Sequence, residues 1–208
     1  MPQLPLGKLL VLLFLMSGPL RVIPSFAALT GALGASTRNQ LALRSVLYAA
    51  LAVVIAVFAG HRVLEAWDTT PQALTAATGL VLLLTALQPL VGWPPAPSTA
   101  IPAAVDDGDI GRFALSPLAF PIIVPPFAIG VLVLFAAFFP DPIQQSQMVA
   151  AAWALLLIDY LGMRQARRIL AMIGPVTLQL LGAVFGVLQL ALAVQMMFWA
   201  VKSTFRAT

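Results

Sequence analysis

The residue with the most unusual setting in this chain of 208 residues is Arg21, a permanent cation near the middle of an apolar run from about Leu6 to Ala35. A charge at bilayer depth costs at least ~2.5–3.5 kcal/mol on insertion scales, which makes such a residue a functional candidate by default. Its guanidinium is suited to hold an anionic group of a solute, or to form an intramembrane ion pair with Asp159 in a later apolar run. The plainer alternative is an arginine that snorkels from a half-helix end. Asp159 has its own plain alternative, an interfacial ion pair with Arg164 about a turn away. Ser25 and Thr30 follow Arg21 in the same run, and Thr75, Thr78 and Thr85 share one helical face with Gln88 nearby. Arg21, Ser25, Thr30, Thr75 and Thr78 are therefore the candidates to line a polar solute path. Hydrogen bonding between packed helices is the competing use of the threonines.

Several other chemistries are excluded. With no Cys, the chain has no disulfide, thiol nucleophile, iron–sulfur cluster or Cys-ligated zinc. The one histidine, His61, lies beside Arg62 and Glu65 at the end of an apolar run and cannot alone supply paired haem ligands or a metal site. Lys8 and Lys202 sit near the chain ends, which argues against a Schiff-base lysine in mid-membrane. No nucleophile, base and orienting group can be assembled, so neither an enzyme nor a metal or cofactor is expected. The net charge of +4 is what basic residues beside helix ends produce, and no nucleic-acid partner is expected.

The elements that must position these residues are membrane helices. The chain is 61% hydrophobic and 9% charged, whereas a soluble chain is roughly a quarter charged. That apolar content suffices for six spans of ~20 residues each. The first, from about Leu6 to Ala35, is interrupted by Ser17-Gly18-Pro19 and by Pro24, so it reads as broken or kinked. Lys8 ahead of an apolar run also fits a signal peptide, but the apolar character continues past Pro24. Further spans run from about Val46 to Gly60, Ala73 to Val91, Phe113 to Phe139, Met148 to Met163 and Val176 to Val201. A connector over 92–112 carries Pro94, Pro95, Pro97 and Pro102, then Asp106, Asp107 and Asp109. In the fourth span, Pro117, Pro121, Pro125 and Pro126 preclude an ordinary helix, because each removes a backbone donor and crowds the preceding turn. Such backbone is tolerated at membrane depth only where protein or a water-filled cavity covers it. In the last span Gln179, Gly182, Gly186 and Gln189 align, and Gly182 and Gly186 predict close helix packing.

The two broken spans echo each other. Gly18-Pro19-Leu20-Arg21-Val22-Ile23-Pro24 is matched by Ser116-Pro117-Leu118-Ala119-Phe120-Pro121, and Pro24-Ser25-Phe26-Ala27 by Pro125-Pro126-Phe127-Ala128. Each opens a block of three spans, so the chain reads as one membrane domain over 1–208, with a repeat at about 1–91 and another at about 113–208. An odd number of spans per block inverts the second copy, as in secondary transporters whose breaks meet near the midplane. Connectors after spans one, three and five would carry Arg38, Arg44, Arg112, Arg164, Arg167 and Arg168, against Lys8, Arg62, Lys202 and Arg206 opposite. The positive-inside rule then places both termini on the non-cytoplasmic side.

At these residues the chain resembles the MarC family, six-span bacterial inner-membrane proteins. Pro117-Leu118-Ala119-Phe120-Pro121 is similar to that family's Pro-Leu-Ala-Met-Pro signature. Ile23-Pro24-Ser25 through Gly31 to Thr37-Arg38-Asn39-Gln40 resembles its first helix and connector. Ala59-Gly60, Thr70-Pro71 through Gly79, and Gly174 through Gly182 to Val201 resemble later parts. The resemblance implies an inverted-repeat fold, a bacterial inner membrane and, for some relatives, transport of small neutral amino acids. The chain departs from the family where it matters for a solute. Ile23 replaces an Asn, and Ile122, Ile123, Val124, Pro125, Pro126 and Phe127 replace Ser, Thr, Ala, Gly, Pro and Gly. A zwitterion needs donors and acceptors in a membrane cavity.

Two functions follow: a secondary transporter of a small solute working around the breaks, or a non-transporting accessory subunit of a larger membrane complex. Its partners would be the bilayer and, in the second case, other membrane subunits or further copies of itself. The space between spans one and four separates them, because Ile23, Ile122, Ile123 and Phe127 filling it would argue against transport.

Overall fold

The computed structural model describes residues 7, 11, 13–14, 18–91, 101–102 and 106–207, and every described element is a helix. Lys8, Ser17 and the prolines at 94, 95 and 97 fall outside them. Proline organises the start of most helices. Pro19 opens α1 (Pro19–Leu29), Pro71 opens α3 (Pro71–Leu90), Pro126 opens α5 (Pro126–Phe138), Pro142 opens α6 (Pro142–Arg164) and Pro175 opens α8 (Pro175–Ala207). At the first helical position the missing N–H would be unpaired anyway, and the fixed φ is already helical. Side-chain caps add to two of these starts: the Ala73 amide donates to the Thr70 hydroxyl at 3.2 Å, and the Ile143 amide to Asp141 at 3.3 Å. The remaining helices are α2 (Ala35–Ala66), α4 (Asp107–Phe113) and α7 (Ala166–Ile173).

Among the described residues four helices are long and apolar enough to cross a membrane: Ala35–Ala66, Pro71–Gln88, Pro142–Arg164 and Leu180–Phe205. The pair Asp109–Ile123 and Pro126–Phe138 is apolar enough to make a fifth crossing but bends by 66° at its break. Helix α1 has 11 residues, which at 1.5 Å each cover only about half of a ~30 Å hydrocarbon core. The side chains facing outward confirm the solvent: Leu51, Ile55, Leu180 and Phe198 are all more than half exposed. That surface matches lipid tails and would be a liability in water.

The core has two parts. Val22 and Phe26 of α1, Leu41 and Val57 of α2, Leu118 of the proline segment and Met148 of α6 belong to one cluster. Leu82 of α3, Phe127 and Val131 of α5 and Ala193 of α8 form a second. Helices α3 and α8 lie backbone to backbone at Gly79, where an added Cβ would stand 3.1 Å from the Ala193 carbonyl oxygen. A small residue is what permits that approach.

Three expectations are corrected. The first span does not break at Pro24, because α1 runs through it. Only the Leu20 carbonyl loses its donor there, and the neighbouring Arg21 carbonyl gains the Ser25 hydroxyl at 3.0 Å. The second span starts at Ala35, eleven residues before Val46, since the polar stretch through Arg44 is helical too. Gly182 does not mediate close packing, because a Cβ there would meet only open space, although Gly186 is buried.

Candidate functional site at the proline break

The fourth apolar stretch breaks as its prolines require. Over Ala114–Ile123 the backbone leaves helical geometry at Ser116 and Phe120, each directly ahead of a proline, where sterics disfavour the helical region. The Val124 amide reaches back to the Ala119 carbonyl at 2.9 Å, and α5 restarts with the Ala128 amide on the Pro125 carbonyl at 2.9 Å. Pro117, Pro121, Pro125 and Pro126 contribute no amide hydrogens, so acceptors outnumber donors along this stretch.

Asp159 faces this break from α6. Its residue is 1% exposed, and its Oδ1 is buried without a hydrogen-bond partner. The carboxyl borders a cavity of about 20 Å³, room for one water molecule. Ile123 and Val124 of the break, Val53 of α2 and Ala128 and Leu132 of α5 form much of its wall. The wall supplies hydrocarbon and no described charged side chain besides Asp159 itself.

The expected ion pairs of Asp159 are not formed. Arg21 places its Cζ 5.7 Å from the centre of the Phe127 ring, a cation–π arrangement at the first turn of α5. Val22, Ile23 and Phe26 turn the buried face of α1 inward, and Arg21 lies on its exposed side. Arg164 lies over Tyr160 at 5.9 Å. Five residues separate it from Asp159, which puts the two about 140° apart around the helix. His61 Nε2 lies 3.1 Å from Glu65 Oε1, one turn apart on α2.

The hydroxyls expected to line a path are engaged in their own helices. Thr30 donates to the Phe26 carbonyl at 2.7 Å, Thr75 to Pro71 at 2.7 Å and Ser25 to Arg21 at 3.0 Å. Such bonds to the preceding turn consume the donor. Thr78 is buried against Gly130 of α5. None of Arg21, Ser25, Thr30, Thr75 or Thr78 lines the cavity beside Asp159. Ile23, Ile123 and Phe127 are each less than 10% exposed, and Ile122 is half-buried, so apolar side chains fill the space between the first and fourth spans.

Contacts at the ends of the bundle could not be anticipated from spacing. Arg167 of α7 donates to the Gly31 carbonyl at 2.9 Å, and the Ile101 amide to the Leu29 carbonyl at 3.1 Å. These join the connectors that follow α1, α3 and α6. At the other end Ala137 of α5 shares an open pocket with His61, Glu65 and Asp68, and Gly60 abuts Val133. Arg38 keeps its Nη1 buried without a partner. The basic residues alone pointed to shared sides; the bonds that join the loops carry no sequence signal.

Comparison with known proteins agrees with an integral membrane protein. A family model described as MarC family integral membrane protein matches residues 5–205. The chain is similar to UPF0056 membrane protein MJ1677 of Methanocaldococcus jannaschii, 29% identical over 187 residues that cover 88% of this chain and 89% of the relative. It is also similar to the UPF0056 inner membrane protein YhgN of Escherichia coli, 24% identical over 189 residues, 89% of this chain and 90% of that one. The Pyrococcus abyssi membrane protein PYRAB13050 is 21% identical over 193 residues, 93% and 92% of the two chains. No solved structure matches the chain significantly.

Proposed function

This chain belongs to the MarC family of integral membrane proteins, and on that premise we propose that it is a secondary transporter of a small solute. It is built from two inverted halves that rock about the proline break. The observation that carries this reading is the exchange of partners between the halves. Helix α2 packs on α6 and α3 on α8, while α1 packs on α6 as the proline segment and α5 pack on α2. Each half thus lays its first span against the second helix of the other, the relation an inverted repeat produces.

The loops support six crossings. Leu29, Ile101 and Arg167 meet at one end of the bundle, so the chain crosses an even number of times between each of them. Helices α2 and α3 account for the first two crossings. Helix α6 is one of the second two, and an even count favours the bent pair as the other, a broken span. The sixth is the first apolar run expected from the sequence, from about Leu6 to Ala35. Arg38, Arg164 and Arg167 then share one end and Arg62 and Lys202 the other, which favours both termini outside the cytoplasm. The inner membrane named for the Escherichia coli relative supports the same location here.

The site narrows the solute. A neutral amino acid, the class the family resemblance implies, carries a carboxylate that needs donors. The hydroxyls of Ser25, Thr30 and Thr75 are committed to their own carbonyls. The break is acceptor-rich, and that favours a solute without an anionic group. A second reading, the accessory subunit of a larger complex, is favoured by Ile23, Ile123 and Phe127 filling the break. The apolar filling counts against a standing amino-acid site, and transport requires the break to open.

Uptake into proteoliposomes separates the two. The transport reading expects uptake of a labelled small neutral or cationic solute, lost in Arg21→Ala, which frees the cation–π contact at the start of α5. No uptake of any solute, together with stoichiometric co-purification of other membrane subunits, would overturn it.

A further inference from the structure

We propose that Asp159 is a proton-binding site: its carboxyl carries a proton while the break is closed and releases it when the break opens to water. Proton binding needs no solute, so the site would stand even if nothing else were carried. The observations are geometric. The side chain is 1% exposed, Oδ1 has no partner, and the adjoining space of about 20 Å³, lined by Ile123 and Val124, has room for one water molecule. An unpaired carboxylate in such surroundings is too costly to persist, and a bound proton removes the charge.

Among the described residues no charged group is placed to stand in for that proton. Helices α1, α2 and α7 pack against α6, and the break and α5, which also line the cavity, carry no charged side chain from Ala114 to Phe138. On α1, Arg21 lies over Phe127. On α2, Arg44 and His61 lie nine and eight residues from Val53, the helix's contribution to the cavity, which is about 12–13 Å along the axis. Arg62 is also nine residues away, and Arg38 and Glu65 are farther still. On α7, Arg167 is bound to the Gly31 carbonyl and Arg168 is exposed. On α6 itself, Arg164 lies over Tyr160. A metal cation fits less well, because a site of about 20 Å³ walled mainly by hydrocarbon offers too few oxygen ligands for one.

The step is a simple proton transfer. Movement of the Ile123–Pro126 backbone admits water, the carboxyl O–H bond breaks, and the proton passes to that water. A carboxylate and a hydronium ion remain, and closure on either side reverses the step. The break is assigned as the gate because Ile123 and Val124 line the cavity that the carboxyl borders.

Infrared spectroscopy of the full chain in lipid nanodiscs tests this directly. Only seven acidic residues are present; Glu65, Asp68, Asp106 and Asp109 are exposed, Asp107 opens α4 between two of them, and Asp141 caps a helix end. A protonated-carboxyl band at neutral pH is therefore expected in the wild type, lost in Asp159→Asn and retained at a shifted position in Asp159→Glu. Asparagine has the shape of the protonated acid, and the glutamate variant carries the test if the asparagine variant does not fold. Absence of the band at neutral pH, or its persistence in Asp159→Asn, would overturn the proposal. Its removal by sodium chloride but not choline chloride would assign the site to a metal cation and overturn it equally. None of these readouts depends on solute uptake.

Discussion

Replacing Gly130 with alanine puts a methyl group where Thr78 already stands. The new Cβ would lie 2.9 Å from Thr78 Cγ2 and 3.1 Å from its Cβ, and would also press on Oγ1. Ordinary carbon contacts are ~3.5–4.0 Å, so α3 and α5 would have to separate by roughly 0.5–1 Å. Thr78 is 4% exposed and β-branched, with one strongly restricted torsion, so it cannot swing aside. Overpacking of this kind costs about 1–3 kcal/mol. Against it stands the helix preference of alanine over glycine, worth about 0.8–1.0 kcal/mol. The clash wins, and Gly130→Ala should lower unfolding stability by up to ~2 kcal/mol, measured by denaturation in mixed micelles. In a Thr78→Ala background two of the three clashing atoms are gone, so the same change should become neutral or stabilising. A stabilising Gly130→Ala in the wild type, or an effect indifferent to residue 78, would refute the packing described here.

Three further outcomes follow from the same geometry. Single cysteines at Gln165 and Ser36 should react with an impermeant thiol reagent from one side of the membrane, and at Thr69 and Asp141 from the other; a mixed pattern would break the six-crossing arrangement. Trp153→Phe removes a hydrogen bond of 3.3 Å to the Ala50 carbonyl between α6 and α2 and should cost about 0.6 kcal/mol in the same denaturation assay. Glu65→Gln should change stability by less than ~1 kcal/mol, because its ion pair with His61 is surface-exposed; a larger loss would mean that this end of the bundle is buried in an assembly.

Much of the fold was legible because prolines are local in their effect. The break at Pro117, Pro121, Pro125 and Pro126 follows from lost donors and crowded preceding residues, and needs no tertiary information. Pro24 looked equivalent and is not, because one missing amide in a packed helix is absorbed. Glycine was less legible. Gly182 had the spacing for close packing, yet it faces open space while Gly79 and Gly130 abut neighbouring helices, since spacing along one helix does not say which face meets a neighbour. The site was half legible. Asp159 was recognisable as an acid in an apolar run, but its burial depends on how α2, α5 and α6 converge. The helical angle between Asp159 and Arg164 argues against their pairing, and periodicity could have revealed that much. The Arg21–Asp159 pair failed for a reason only packing supplies: Arg21 is exposed and lies over Phe127, while Asp159 is enclosed. The apolar replacements at Ile122, Ile123 and Phe127 were legible, and they do fill the break.

The central claim is that this filled break opens alternately to the two sides. The chain has no cysteine, so Ile122→Cys, placed at the break and half-buried, gives a clean probe in oriented vesicles. The account predicts modification by an impermeant thiol reagent added to either side, at a rate that falls when the vesicle lipid is cooled into its gel phase. Protection of this cysteine from both sides, in a protein whose connector cysteines still react, would contradict it and leave the accessory-subunit reading in its place.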